Sequence, residues 1–252
     1  MVISFGGYVS VPVIIASFFL RTPSITHEQT RTTSLSTYIN SFFVKYVALS
    51  FDKSDKSNKE IFTGNLIRQA IFDQNSPKFK NFKLKIKNLP IIYVTGGNQG
   101  SEFINNLVTK LLPQLQNFSI IHQTGKKNIP NNQYPNYFHY EYIEIEDIGW
   151  VLNHADIIIS RSGANICQEL DILNKKSILI PLPFTQQNEQ LQNALWLKNK
   201  KPTTTVILEQ DTLKPTNIIQ AIKELQRHKT KKNALTNNSA THPIIKLIHQ
   251  LV

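Results

Sequence analysis

The stretch Ala155–Leu170, ADIIISRSGANICQEL, constrains this chain more than any other. Ile157-Ile158-Ile159 is a β-branched run of the kind found in strands covered on both faces. Arg161-Ser162-Gly163 then reads as a tight turn, where Ser162 can cap a helix and Gly163 lets backbone come close to a ligand. On the helix that follows, Ile166, Leu170 and Leu173 share one face, while Ser162, Asn165 and Glu169 share another. A buried strand that ends in a polar turn at a helix N-terminus is where open α/β sheets bind ligands. Taken alone, it is also what an ordinary βα turn looks like.

The same unit recurs from Ile91 onward. Strands are expected at Ile91–Thr95, Phe118–His122, Tyr140–Ile145, Ile157–Ile159, Ser177–Pro181 and Thr204–Leu208. Helices are expected at Ser101–Leu112, Asp147–Asn153, Asn188–Asn199 and Asn217–His228, with a last one at Ile244–Leu251. Strands alternating with helices of this length mean a parallel sheet covered on both faces. Before Ile91 the pattern is α/β but short: strands at Val2–Phe5, Ser24–Thr26, Tyr46–Ser50 and Glu60–Thr63, with helices at Pro12–Leu20 and Leu35–Lys45. The chain reads as starting in mid-domain. The lysine-rich stretch around Pro77, ending at Pro90, reads as a linker. The expected division is an incomplete N-terminal domain over 1–68, a linker over 69–90, a C-terminal domain over 91–240, with 230–240 a polar joint, and a final helix over 241–252.

Composition narrows the function classes. The single cysteine, Cys167, leaves no disulfide framework and no cysteine zinc cluster, and its place on a helix suggests a small packed side chain. The net charge of +11 points to anionic partners such as a phosphorylated substrate, an acidic membrane surface or nucleic acid. Charge is the only support for nucleic acid, and no nucleic-acid partner is expected. The longest apolar run, Val9–Leu20, is broken by Ser10, Pro12 and Ser17 and is too short to span a bilayer.

Glycine is scarce, and seven of the nine glycines fall in turns at strand ends. Gly96-Gly97-Asn98-Gln99-Gly100, between a strand and a helix, offers amide donors and a helix dipole to an anion. It is neither a dinucleotide fingerprint nor a P-loop. Glu169 is suited to accept hydrogen bonds from a ribose diol, Arg68 to pair with phosphate, and the amides of Pro183–Ala194 to grip sugar hydroxyls. A surface cation and a solvated helix start are the plain readings of the last two. No metal-ligand spacing and no nucleophilic triad are present, so no metal or cofactor is expected. His27, at a strand end beside Glu28, is the one histidine in a promising place, and a hydrogen-bonded structural histidine is an equal reading.

Seven segments occur in the order found in the MurG family: FGGYVSVP (Phe5–Pro12), HEQT (His27–Thr30), GNLIR (Gly64–Arg68), YVTGGNQG (Tyr93–Gly100), HQTGK (His122–Lys126), ISRSGANICQE (Ile159–Glu169) and QNEQLQNA (Gln187–Ala194). The chain resembles that family through most of residues 2–200. The resemblance implies a GT-B fold, with two Rossmann-like domains facing across a cleft and the last helix crossing back to the N-terminal domain. It implies inverting transfer of N-acetylglucosamine from UDP-N-acetylglucosamine to lipid I, giving lipid II for peptidoglycan, with no metal or cofactor. By position, Arg68 would lie near the diphosphate, Asn98 and Gln99 at the donor, and Ile145 would offer backbone to uracil. Ser162 and Gly163 would line the donor site, Glu169 would hold the ribose and Gln190 the sugar. His27 and Glu28 would face the acceptor as catalytic candidates, with Thr30 at a sugar contact. A peripheral place on the cytoplasmic side of the plasma membrane, against its anionic surface, is implied as well.

Departures accompany the resemblance. Thr30 stands for an asparagine, Asn98 for a serine and Val11 for a common glycine. The family's N-terminal glycine-rich loop, with the histidine favoured as base, has no counterpart here. The chain is therefore expected to bind donor and to transfer poorly alone. Two alternatives stay open: the donor-binding half of a transferase completed by a separate N-terminal polypeptide, or a non-catalytic UDP-sugar-binding relic.

Overall fold

A computed structural model describes residues 1–72, 89–126, 134–229 and 241–251. The core of the expected linker, most of the polar loop after Lys126 and the joint at 230–240 lie outside the described residues. The chain divides into two compact units, each built on its own parallel sheet.

The first unit holds residues 1–67 and the C-terminal helix. Its strands β1 (Val2–Ser4), β2 (Ser24–Glu28), β3 (Tyr46–Leu49) and β4 (Glu60–Phe62) lie side by side in chain order. Helices α1 (Ser10–Phe19) and α2 (Leu35–Phe43) join the first three. Side-chain alternation splits the strands between two faces. Val47 and Leu49 pack with Ile14 of α1 and with Val44 on one side. Ile25 and Ala48 pack on the other with Ile244 and Leu247 of the C-terminal helix, Thr241–His249.

The second unit begins at Arg68. Gln69–Phe72, placed in the expected linker, forms a 3-10 turn with Ile71 fully buried. The Ile71 carbonyl accepts a hydrogen bond of 2.8 Å from the Asn153 amide group. The sheet comprises β5 (Ile91–Thr95), β6 (Ser119–Gln123), β7 (Tyr137–Tyr140), β8 (Ile157–Ser160), β9 (Lys176–Leu179) and β10 (Thr205–Ile207), in the spatial order β7-β6-β5-β8-β9-β10. Counted from β5, that is the doubly wound 3-2-1-4-5-6 order, whose switch point lies between its first and fourth strands. Here these are β5 and β8, in register at Tyr93 with Ile158 and at Thr95 with Ser160. Ile92, Val94, Ile157 and Ile159 face helices α3 (Glu102–Leu111) and α7 (Pro215–Arg227), whose Leu107, Val108, Ile218 and Ile222 complete the core.

One strand stands where it was not expected. A strand is expected at Tyr140–Ile145, but pairing with β6 takes Tyr137–Tyr140, and Ile145 opens helix α4 (Ile145–His154). Glu146 and Asp147 in the first turn favour a helix start there, because they meet the positive end of its dipole. Aromatic and β-branched residues simply continue past the end of the strand.

Candidate active site at the sheet switch point

The carboxyl ends of β5 and β8 lead into the two turns singled out in the sequence. After Thr95 the chain turns through Gly96–Gly100, and Ser101 caps α3. The Thr95 hydroxyl accepts the Gly97 amide at 3.0 Å. Gly100 takes a φ of +75°, and a Cβ there would lie 2.0 Å from the Thr124 carbonyl oxygen. Gly125, in the turn after β6, faces the reciprocal conflict at 2.4 Å with the Gln99 carbonyl. Only glycine lets these two backbones cross so closely. Gln123 adds a strap: its amide nitrogen donates to the Gly97 carbonyl and its oxygen accepts from the Ile143 amide, both at 3.2 Å. Asn98 and Gln99 are left exposed at the tip. Ile145, also exposed, is the first residue of α4, where an amide has no partner within its helix.

After Ser160, helix α5 (Ala164–Leu173) begins one residue later than the Ser162 cap predicted. Gly163 is the cap residue, and Ser162 turns away, its hydroxyl donating to the Gln190 carbonyl at 2.8 Å. Gln190, on helix α6 (Glu189–Lys200), returns its side-chain oxygen to the amides of Ser162 and Leu182 at 3.3 and 3.0 Å. Asn193 closes the group on the Ser162 carbonyl at 3.2 Å. Gly163 has an ordinary φ of −62°, and a Cβ there would meet nothing within 4 Å. No demand of the fold calls for glycine at that position.

Glu169 and Arg68, 101 residues apart, form an ion pair: Nε to Oε1 at 2.6 Å and an Nη to Oε2 at 3.2 Å. The carboxylate is buried, and the guanidinium is about a third exposed. Loss of hydration pushes the Glu169 carboxyl above its usual range, with Arg68 opposing that shift. Burial likewise raises the phenol of Tyr93, which lies in the field of the pair. Cys167, on the same helix, is buried and its thiol is pushed up, in keeping with a packed side chain.

The acceptor-side candidates belong to the first unit. Glu28 is buried, and both oxygens of its carboxylate are engaged. Oε1 accepts the Thr30 amide and hydroxyl at 3.1 and 2.8 Å, and Oε2 accepts the Ser34 amide and hydroxyl at 2.8 and 2.9 Å. Ser34 in turn caps α2. These contacts give Glu28 and Thr30 the task of shaping the loop between β2 and α2. His27 is buried under the edge of Phe5, with Nε2 3.2 Å from the Gly64 carbonyl and 3.3 Å from the Ser50 hydroxyl. Burial lowers its pKa, against opposing contributions from Gly64 and Glu28.

Several site residues carried no distinct signal in the sequence. Gln123 sits inside HQTGK and Arg161 inside the opening stretch, yet what matters is their partners, which lie far away along the chain. Motif membership was the available clue.

The family model described as the glycosyltransferase family 28 C-terminal domain matches residues 91–251, and its N-terminal counterpart matches residues 1–49. Over 99% of its length the chain is 33% identical to a UDP-N-acetylglucosamine–N-acetylmuramyl-(pentapeptide) pyrophosphoryl-undecaprenol N-acetylglucosamine transferase of Clostridium kluyveri, of which it spans 73%. It is 34% identical over 92% of its length to the transferase of the same name from Borrelia garinii, of which it spans 64%. Among solved structures, Acinetobacter baumannii MurG superposes with a TM-score of 0.69 at 24% identity, covering 98% of this chain and 72% of that one. A Neisseria meningitidis UDP-GlcNAc 2-epimerase bound to UDP-GlcNAc gives 0.67 at 17% identity, covering 99% and 75%. These two likenesses concern the fold alone.

Proposed function

The chain belongs to glycosyltransferase family 28 and, within it, to the MurG-type N-acetylglucosamine transferases; from that premise we propose that it takes N-acetylglucosamine from UDP-N-acetylglucosamine and passes it to a lipid-linked muramyl-pentapeptide acceptor. The observation that carries the donor half is the switch point between β5 and β8, flanked by the Gly96–Gly100 and Arg161–Gly163 turns. Two helices, α3 and α5, start there, so their positive ends meet a nucleotide diphosphate. Gly163 leaves room that the fold does not use. The unpaired donor at Ile145 suits the uracil edge, and Asn98 and Gln99 at the exposed tip suit the sugar phosphate.

Glu169 is the proposed ribose ligand. A carboxylate accepts both hydroxyls of a diol, and for this it must exchange Arg68 for the ribose. The exchange frees the guanidinium, whose planar fork matches phosphate oxygens. Gln190 already spends its carbonyl oxygen on two amides, so its NH2 group is the part that remains for a sugar hydroxyl. Inverting transfer also requires a base for the acceptor hydroxyl. His27, held neutral by burial, is the better candidate of the pair in this chain, because Glu28 is engaged with four loop donors.

The first unit supports the membrane half of the reading. Val9, Val13, Phe18, Phe19, Leu20 and Phe42 of α1, its flanks and α2 are exposed apolar side chains. Phe18, Phe19 and Phe42 border a groove of about 800 Å³ that Arg21, Lys45 and Lys59 also line. Apolar side chains rimmed by cations suit an anionic lipid surface. Among the described residues no helix is long and apolar enough to cross a membrane. Peripheral attachment at the inner leaflet is the corresponding proposal.

The test is direct. Labelled UDP-N-acetylglucosamine and a lipid I analogue are incubated with the purified chain, and labelled disaccharide-lipid is measured. Donor binding is followed in parallel by calorimetry. Transfer supports the full reading. Binding without transfer, even when an N-terminal polypeptide of a relative is supplied, supports the relic. Absence of UDP binding overturns both.

A further inference from the structure

Arg161 stands in the Arg161–Gly163 turn, but the donor reading has given it no task. Its side chain is buried, with the residue 8% exposed. It lies between the starts of two helices. It belongs to the turn that opens α5, and one Nη donates at 2.9 Å to the hydroxyl of Ser101, the cap of α3. The same nitrogen reaches the Gln210 side-chain oxygen at 2.7 Å. The other Nη donates to the carbonyls of Ile180 and Pro181 at 3.1 and 3.3 Å, where the chain leaves β9. The ring of Phe103 lies 5.7 Å from the guanidinium carbon.

Every one of these acceptors is neutral. Among the described residues no carboxylate comes within 4.0 Å of Arg161. Burial pulls its pKa down only to about 10, so it remains a cation at neutral pH. A buried charge is ordinarily paired, because desolvation is expensive. Four hydrogen bonds offset part of that cost and leave the charge uncompensated. At Arg68 the opposite holds, since its charge is cancelled by Glu169 at 2.6 Å.

We propose that Arg161 is a positioning residue that also supplies charge: braced by neutral acceptors between the N-termini of α3 and α5, its guanidinium adds a full positive charge to the two helix dipoles and draws the diphosphate of the nucleotide sugar into the gap between the turns. The inference rests on the donor reading above. A charge in a poorly solvated site acts over several ångströms. A diphosphate feels it, and an uncharged nucleoside does not.

Gln210 allows the charge to be cancelled without dismantling the brace. Gln210→Glu keeps the acceptor beside the guanidinium and adds a carboxylate. Gln210→Leu removes the acceptor and leaves the charge. Calorimetry on the 252-residue chain with UDP and with uridine compares the two. Gln210→Glu is expected to weaken UDP by about tenfold and to leave uridine within about twofold, with no fall in melting temperature. Gln210→Leu is expected to keep UDP within about threefold, the loss of one neutral hydrogen bond. Should Gln210→Glu not fold, the preference for UDP over uridine is read in Arg161→Lys, where it persists, and in Arg161→Gln, where it collapses. Unchanged UDP affinity in Gln210→Glu, a parallel loss of uridine, equal damage from Gln210→Leu, or an intact UDP preference in Arg161→Gln overturns the inference while the donor reading stands. A wild-type chain that does not bind UDP overturns both.

Discussion

Two buried glutamates, one in each unit, have opposite surroundings. Glu28 is held by four donors from two neighbouring residues, Thr30 and Ser34, and one of these caps the next helix. Among the described residues Glu169 is held by one side chain, Arg68, which itself remains partly in solvent. The first arrangement engages both oxygens of a carboxylate in local structure. The second leaves it on a single exchangeable partner. A buried acid becomes available to a ligand when its partner can leave at little cost, and burial alone does not show which case applies.

The largest expected effect breaks the comparison from the Glu28 side. Glu28→Ala strips the acceptor from the Thr30 and Ser34 amides, while their hydroxyls keep the Thr32 carbonyl and the Thr37 hydroxyl, and should cost about 3 kcal/mol of stability. Hydrogen exchange should show lost protection at the Thr30 and Ser34 amides and fraying at the start of α2, with the second unit unaffected. Donor affinity should hold. Protection unchanged at Ser34 would remove the loop-holding role.

Glu169→Ala should act the other way round. Loss of a charge-assisted acceptor for the ribose should weaken UDP and uridine alike by about 1.5–3 kcal/mol, measured by calorimetry. Unchanged affinity would take Glu169 out of the ribose role. The carboxyl also supplies a pH test. Its pKa is raised by burial, and only the ionised form can accept both hydroxyls. Uridine affinity should therefore decline on acidification at a pH above the ordinary glutamate value of about 4.3. Since the bound state favours ionisation, affinity is complete above the raised pKa and is lost as pH falls through it. Uridine carries no phosphate, so Arg68 contributes to that profile only through its hold on Glu169. A flat profile down to that ordinary value would contradict the assignment.

Much of the second unit was legible in its sequence, because three of its strands, β5, β6 and β8, are short runs rich in β-branched residues that lead into glycine turns. Ile91–Thr95 stands where the pattern placed it. The strand expected at Tyr140–Ile145 failed for a local reason: aromatic and β-branched residues continue beyond β7, and the acidic first turn of α4 favours a helix there. The Ser162 cap failed because a hydroxyl near a helix start has more than one partner to choose from, and Gln190 is 28 residues downstream. The site residues were legible as types at strand ends, while their pairings were not. Arg68 meets Glu169 across 101 residues, and Arg161 meets Ser101 across 60. Such pairings follow from strand order, and the motif segments are silent on it until β5 and β8 are placed side by side.

The smallest effect sharpens the same contrast in the backbone. Gly100 and Gly163 both belong to turns at the switch point, yet only one is needed by the fold. A methyl at Gly100 collides with the Thr124 carbonyl, whereas a methyl at Gly163 meets open space with φ already negative. Gly163→Ala should therefore leave stability within about 0.5 kcal/mol of wild type. If a ligand uses that space, the same methyl group should weaken UDP-N-acetylglucosamine by about 1–3 kcal/mol, the usual cost of overpacking. Thermal unfolding and calorimetry on one sample separate the two quantities. A destabilised Gly163→Ala with normal affinity would make this glycine a folding residue. A stable variant with normal affinity would place the donor away from this turn and leave the Gly96–Gly100 turn to bind it alone.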